Sequence, residues 1–121
     1  MNKKKTLVIG ASENKERYSY LAVNLLRQYQ HEVVAIGNKT GKINNVEIVV
    51  GKPEFENIDT VTLYLSEKYQ KDYFEYIISL QPKRIIFNPG TENTKLFQLA
   101  LQNKIEPIEA CTLVLLKTGQ Y

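Results

Sequence analysis

The sequence has little of several residue types from which functional sites are often built. Its 121 residues include one cysteine, one histidine and no tryptophan. One cysteine cannot form an internal disulfide, which fits a reducing cytosol, and it excludes a zinc site made of several thiolates. The net charge of +3 is too small to support nucleic-acid binding, and no apolar run approaches the roughly 20 residues of a membrane-spanning helix. These observations predict a soluble, cytoplasmic protein.

The composition and the length of the chain predict one globular domain over residues 1–121. The hydrophobic content of 43% and the charged content of 24% exclude a disordered chain. The chain is long enough to bury a core but too short to add a separate substrate domain. One domain must therefore supply any binding site alone.

The sequence begins with a predicted strand that is followed by a turn of small residues. Residues 7–9, Leu-Val-Ile, fit a buried parallel strand, and Gly10, Ala11 and Ser12 follow it, ahead of an amphipathic helix predicted over residues 17–30. Small side chains let the main chain approach a ligand, and we expect these residues to leave amide N–H groups free for it. The turn predicts a phosphate or nucleotide site. The alternative is a tight strand-to-helix turn without a ligand.

Strands and helices alternate along the rest of the chain. Further strands are predicted over residues 32–37, 44–51, 60–65, 84–88 and 105–108, with a tyrosine-rich helix ending before Pro82 and helices over residues 94–103 and 110–117. This order predicts an α/β fold: a Rossmann-like, doubly wound, mostly parallel sheet of five or six strands with helices on both faces, in three layers. A ligand would lie beyond the carboxyl ends of the strands, at residues 10–12, 37–39, 65–66, 88–90 and 110–111.

The dinucleotide-binding pattern is incomplete. Ser12 replaces the second glycine of G-x-G-x-x-G, and Asn38 and Lys39 occupy the position where an acid would bind a ribose diol. A lysine suits a ribose phosphate better, so it favours a phosphorylated adenosine; the alternative is a solvated surface lysine. Arg17, near the helix start, suggests phosphate contact, with an ion pair to Glu13 or another nearby acid as the alternative.

Few side chains suggest catalysis or a metal site. Tyr18 lies on the apolar helix face, which favours packing, with ligand stacking as the alternative. His31 is expected to be a cation at the helix C-terminus, or to have no role. Cys111 is the one candidate for a reactive thiol, because it follows the last strand near a helix N-terminus; the alternative is a buried, inert cysteine.

These segments together resemble the small standalone coenzyme A-binding proteins, which are similar to the nucleotide-binding domain of the succinyl-CoA synthetase alpha subunit. The resemblance covers nearly the whole chain. It rests on the G-A-S turn followed by Arg17, on Asn38 with Lys39, on N-P-G-T-E-N at residues 88–93 and on E-A-C-T-L-V at residues 109–114.

The resemblance implies a fold in which the first turn and the second strand end hold the pyrophosphate and the adenosine phosphate of CoA. It also implies that Asn88, Pro89 and Gly90 border the pantetheine channel. The chain departs from the family at residues 36–39, which read I-G-N-K instead of a V-N-P-like segment. The phosphorylated histidine of the synthetase has no counterpart at the predicted site.

The leading hypothesis is non-catalytic binding of coenzyme A or an acyl-CoA. One alternative is an NAD- or NADP-binding domain that acts as a redox sensor or a dehydrogenase remnant, and another is a protein interaction module without a nucleotide ligand. A homodimer or a partner enzyme is left open. The predicted cofactor-binding residues are Gly10, Ala11, Ser12, Arg17, Tyr18, Asn38, Lys39, Asn88, Pro89 and Gly90.

Overall fold

The computed structural model describes residues 2–121 and contains one sheet. Its seven strands are β1 (Thr6–Ile9), β2 (Val33–Ile36), β3 (Gly41–Ile43), β4 (Val46–Val49), β5 (Thr60–Leu63), β6 (Arg84–Phe87) and β7 (Glu106–Glu109). Their order across the sheet is β3-β4-β2-β1-β5-β6-β7. All neighbouring pairs are parallel except β3 with β4.

Helices cover both faces of this sheet. They are α1 (Tyr18–Gln28), α2 (Glu67–Gln70), α3 (Phe74–Leu80), α4 (Thr94–Gln102) and α5 (Thr112–Lys117), with a 3₁₀ turn at Lys71–Tyr73 between α2 and α3. α1 and α5 pack on one face, and α3 and α4 pack on the other. The predicted Rossmann-like fold is confirmed. Across residues 2–121, no helix combines the length and the hydropathy that crossing a membrane requires.

The central strand explains why the apolar run at the start of the chain is continuous. Leu7 and Ile9 of β1 belong to the core on the α3 and α4 side, whereas Val8 belongs to the core under α1 and α5. All three side chains have no exposed surface. A parallel strand covered by helices on both faces needs apolar residues at every position, because successive side chains point to opposite faces.

The sheet has seven strands, more than the five or six predicted, because residues 41–49 form a hairpin. Residues 44–51 were expected to add one strand, but β3 pairs with β4 in antiparallel register around Asn44 and Asn45. Asn44 adopts a φ of +54°. Asparagine tolerates this left-handed conformation, which two-residue hairpin turns require. The Asn-Asn pair was therefore the turn signal.

The chain order creates a crevice between β1 and β5. From β1 the chain first builds β2, β4 and β3 on one side, and it then crosses to the other side to form β5, β6 and β7. Ile9, the last residue of β1, is in register with Leu63, the last residue of β5. The loops that leave these two strands diverge from the same level of the sheet. Open α/β sheets bind ligands at such a switch point.

Candidate functional site

An open cavity lies at the carboxyl edge of the sheet, where β1 and β5 meet. Its volume is about 790 Å³, within the roughly 300–1,000 Å³ typical of ligand sites. Four segments form its walls: the loop after β1 with the start of α1, the end of β2, the chain from the end of β5 through the 3₁₀ turn, and the loop after β6. The lining residues are 10–12, 17–19, 37–38, 64–66, 69, 72–73 and 89–91.

The first turn depends on a close main-chain approach. Gly10 has a φ of +99°, and a Cβ atom there would lie 2.8 Å from the carbonyl carbon of Tyr64. The amides of Gly10 and Ala11 both donate to the carbonyl oxygen of Ile36 at 2.9 Å. The expectation that these two amides are free for a ligand is therefore wrong. Of the three turn amides, only that of Ser12 has no hydrogen-bond partner within residues 2–121.

Helix α1 begins without a side-chain cap. Its N-cap residue, Arg17, makes no capping hydrogen bond, and the amides of Tyr18 and Ser19 have no partner in the described part of the chain. By contrast, Asn93 Oδ1 accepts a hydrogen bond from the Leu96 amide at the start of α4. Unpaired amides at the positive end of an 11-residue helix favour an anion. The cavity therefore meets a helix end that a phosphate group would complete.

Glu13 fixes the loop between the first turn and α1. Its Oε2 accepts a hydrogen bond from the Lys42 amide at 2.8 Å. Gly41 leaves the space that the Glu13 side chain fills, because a Cβ atom there would collide with it. The structure does not show the ion pair considered between Glu13 and Arg17. Arg17 is exposed and has no ion pair among residues 2–121, so its guanidinium is available at the cavity.

Tyr18 lies at the cavity, and the prediction that it packs in the core is wrong. Its side chain is 71% exposed. The buried face of α1 is formed instead by residues one position further along at helical spacing: Ser19, Ala22, Val23 and Leu26. The apolar sequence pattern was broad enough to include both sides of this face, so it did not fix the helix rotation.

The end of β2 lies against the first turn. A Cβ atom at Gly37 would collide with the carbonyl oxygen of Ala11, so only glycine permits this approach. Gly37 and Asn38 line the cavity. Lys39, the next residue, is exposed and lies just outside the lining, and it has no ion pair within the described chain.

Asn88 joins three segments of the fold and does not line the cavity. Its side chain is 2% exposed. Its Nδ2 donates to Thr62 Oγ1 at 2.7 Å and to the Leu63 carbonyl at 2.8 Å, while its Oδ1 accepts from the Thr112 amide at 2.8 Å. Asn88 therefore fixes the start of α5 and the loop after β6, whose residues 89–91 line the cavity.

The sequence interpretation missed an aromatic contribution from the segment after β5. Tyr69 and Tyr73 belong to the tyrosine-rich helix predicted before Pro82, and both line the cavity together with Asp72. Tyr69 is 58% exposed, whereas Tyr73 is half-buried and also packs against the core. The only available signal was their i, i+3, i+4 spacing, which places them on one helix face. That spacing cannot distinguish a face that covers the core from one that borders a cavity.

The two groups considered for chemistry lie outside the cavity. Cys111 is half-buried at the N-cap of α5, whose first amide is already bonded to Asn88. His31 is fully buried at the opposite edge of the sheet, where its Nδ1 accepts from the Lys4 amide at 2.9 Å. Burial, and next the charge of Lys3, lower the pKa of His31. These effects disfavour the helix cation that was one of the two expectations for His31.

The fold and the cavity define a class of protein: a Rossmann-like domain with a cavity and unpaired helix amides at its topological switch point, the place where such folds hold nucleotide cofactors. The sequence matches the CoA binding domain family over residues 4–117. The chain therefore belongs to the family of CoA-binding domains, and the family supports a CoA-binding role.

Solved structures agree with this assignment. The chain is similar to an uncharacterised protein of 44% sequence identity, with a TM-score of 0.97 and coverage of 100% of both chains. A hypothetical protein from Pyrococcus horikoshii OT3 is 20% identical with a TM-score of 0.84, covering 93% of this chain and 81% of that one. A conserved hypothetical protein from Pyrococcus furiosus is 18% identical with a TM-score of 0.80, at 92% and 97% coverage. The latter two show the fold alone. A comparison with curated proteins found no match.

Proposed function

We propose that the protein binds coenzyme A or an acyl-CoA at the carboxyl ends of β1, β2, β5 and β6, without catalysing a reaction. The observation that carries this proposal is the start of α1. There the amides of Ser12, Tyr18 and Ser19 have no partner within residues 2–121, beside Arg17 and an open cavity. These donors and one cation suit the diphosphate of CoA.

The end of β2 favours CoA over NAD. In NAD-binding folds an acidic residue here accepts hydrogen bonds from the ribose hydroxyls. This chain has Asn38 and Lys39 instead. A lysine beside the cavity attracts the phosphate that CoA carries on its ribose, and the same argument keeps NADP as the alternative ligand.

The position of the nucleophilic and basic groups supports binding without catalysis. Ser12 Oγ accepts a hydrogen bond from the Asn14 amide, and His31 is at the far edge of the sheet. Cys111 is not among the residues that line the cavity. A cytosolic location, and action alone, as a homodimer or beside a partner enzyme, stay predictions.

The test is calorimetric titration with CoA, dephospho-CoA, NAD and NADP. We expect CoA to bind most tightly and dephospho-CoA to bind more weakly, because it lacks the ribose phosphate. Arg17→Ala should weaken CoA binding about tenfold, the effect of one hydrogen bond to a charged group. Lys95→Ala removes an exposed cation of α4 that does not line the cavity, so it controls for net charge.

Three results would contradict the proposal. Binding of NAD as tight as that of CoA would select a nicotinamide-binding domain. Absence of binding by all four compounds would favour an interaction module. In that case no compound would raise the melting temperature, although a ligand at a hundred times its Kd should add about 2.7 kcal/mol to the free energy of unfolding. An equal loss of CoA affinity in Arg17→Ala and Lys95→Ala would remove Arg17 from the site.

A further inference from the structure

The cavity is lined by aromatic side chains mainly on one side, since the exposed Tyr18 at the start of α1 is the one aromatic residue among the other lining residues. On the β5 side the lining includes three tyrosines and a leucine, which we call together the aromatic wall: Tyr64, Leu65, Tyr69 and Tyr73. The β2 side contributes only residues 37–38, which are glycine and asparagine. Tyr69 is exposed and Tyr64 and Tyr73 are half-buried, and aromatic surface gathered around one cavity is typical of a contact for an apolar ligand group. An apolar part of the ligand therefore finds its largest matching surface on the β5 side.

The aromatic wall is held in place by buried hydrogen bonds beneath it. Gln70 of α2 has no exposed surface, and its Nε2 donates to the Leu65 carbonyl at 2.8 Å and to the Thr91 carbonyl at 2.7 Å. These bonds tie α2 to the loops after β5 and β6. Tyr73 also packs edge-on against Tyr76, with ring centroids 6.4 Å apart. The wall is thus formed before a ligand arrives, which reduces the entropy lost on binding.

Charges around the cavity indicate which half of CoA meets the aromatic wall. Asp72 is the only acidic residue in the lining and lies next to Tyr73. Arg17 is the only cation in the lining and lies at the start of α1. Outside the lining, Lys39 follows β2, whereas Lys68 and Lys52 lie over the rings of Tyr69 and Tyr73, with Nζ 5.0 and 5.5 Å from the ring centroids. All phosphates of CoA belong to its adenosine half, whereas its pantetheine arm is uncharged. The unpaired amides at the start of α1 and Arg17 therefore favour the diphosphate there, which leaves the β5 side of the cavity for the arm.

We propose that the aromatic wall binds the acyl group at the end of the pantetheine arm, so that the protein recognises acyl-CoA esters with medium-length or aromatic acyl groups. This inference rests on the proposed CoA-binding function and adds a substrate class to it. Hydrocarbon placed on the rings of Tyr69 and Tyr73 leaves water and gains aromatic contact. A free thiol in the same place would gain little.

The test compares ligands that differ only in the arm. Calorimetric titration would use CoA, hexanoyl-CoA, phenylacetyl-CoA and 3′-phospho-ADP, which lacks the arm. We expect hexanoyl-CoA and phenylacetyl-CoA to bind roughly tenfold more tightly than CoA. Tyr69→Ala should abolish most of this preference without changing the affinity for 3′-phospho-ADP, whereas Tyr69→Phe should keep it. Leu101→Ala is the control, because Leu101 is 58% exposed, like Tyr69, but does not line the cavity.

The outcomes separate this inference from the function on which it rests. If CoA binds but the two acyl-CoAs bind no better, the acyl contact is rejected and the proposed function stands. If Tyr69→Ala weakens 3′-phospho-ADP as much as the acyl-CoAs, the ring contacts the adenosine half, and the inference is overturned. If none of the four compounds binds, the proposed function fails together with the inference.

Discussion

The carboxyl and amino ends of the strands lie at two edges of the sheet, and these edges differ in how far the chain itself covers them. At the carboxyl edge, the amides of Ser12, Tyr18 and Ser19 lack partners within residues 2–121 and an open cavity lies beside them. At the amino edge, the strands are covered by the ring of Tyr121, which is 4% exposed. The Tyr121 hydroxyl is hydrogen-bonded to Thr6 Oγ1 at 2.6 Å. One edge thus has an open cavity with unpaired donors, and the other is closed by the chain itself.

The difference follows from the direction of the chain. In strand-helix-strand units every helix begins at the carboxyl edge, so unpaired helix amides collect there. Asn93 caps α4 and Asn88 bonds the first amide of α5, which leaves α1 as the longest helix without a side-chain cap. The amino edge has no such excess of donors, because the first amides of its strands bond to neighbouring carbonyls, as Thr6 does to Glu32 at 2.9 Å.

The largest effect on stability is expected when the side chain that covers the closed edge is removed. Tyr121→Ala removes a buried ring that Arg84 covers, with the guanidinium carbon 4.3 Å from the ring centroid. We expect the free energy of unfolding to fall by about 3–5 kcal/mol, the usual cost of deleting a buried aromatic side chain, as measured by urea denaturation. CoA affinity at low temperature should stay unchanged, with Tyr121→Phe as the milder control. A loss of CoA affinity in a folded Tyr121→Ala protein would show that the closed edge also contributes to binding, contrary to the comparison.

Asn88→Ala tests a buried residue that supports the loop beside the cavity. It leaves the Thr112 amide, the Thr62 hydroxyl and the Leu63 carbonyl without the partner that Asn88 supplies. We expect unfolding to become easier by about 3 kcal/mol, since unmet buried polar groups cost roughly 1–3 kcal/mol each. Urea denaturation measures this change. Asn38→Ala, at an exposed asparagine of the same edge, should change stability by less than about 0.5 kcal/mol. Equal effects would contradict the role assigned to Asn88.

Substitution of two glycines at the open edge separates the effect of backbone strain from that of a steric clash. Gly10 and Gly90 have φ values of +99° and +90°, but a Cβ atom at Gly90 would meet nothing within 4 Å. Both changes to alanine strain the backbone, and only Gly10→Ala also pushes against Tyr64. We expect Gly10→Ala to lower the free energy of unfolding by about 2 kcal/mol more than Gly90→Ala. Thermal and urea denaturation of the two variants would show whether the first turn depends on this contact.

The smallest expected effect is a pH dependence of the free energy of unfolding, which originates from His31 at the closed edge. Burial, together with Lys3, Lys4 and Arg84, lowers the pKa of His31 from its usual 6.5, and Asp59 opposes them. Between the folded and unfolded pKa values, the unfolded chain binds more protons. Stability is therefore complete above pH 6.5 and falls as the pH is lowered, by at most about 1.4 kcal/mol per unit.

Urea denaturation between pH 7.5 and 5.5 measures this slope. The chain has one histidine, so His31→Gln should flatten the dependence in that range. An unchanged slope in the variant would show that His31 is not its origin.

The open edge was more predictable from the sequence than the closed one. The small residues after β1 and the glycine after β2 mark the places where main chains approach closely, and Gly10 and Gly37 are both required there. The amide pairing at Gly10 and Ala11 was not predictable, because it depends on where the Ile36 carbonyl lies. For the same reason Asn88 was assigned to the ligand rather than to its three buried partners. Tyr121 and His31, which meet with ring centroids 4.9 Å apart, carry no local pattern that links them.

The sequence by itself determined the alternation of strands and helices, the double-sided burial of β1 and the position of the first turn, because periodicity and glycine act within a few residues. Only the tertiary structure decided which amides stay unpaired, how α1 is rotated and that Tyr69 and Tyr73 border a cavity. Those properties depend on contacts between segments far apart in the chain, and helical spacing is the same whether a face meets the core or a ligand.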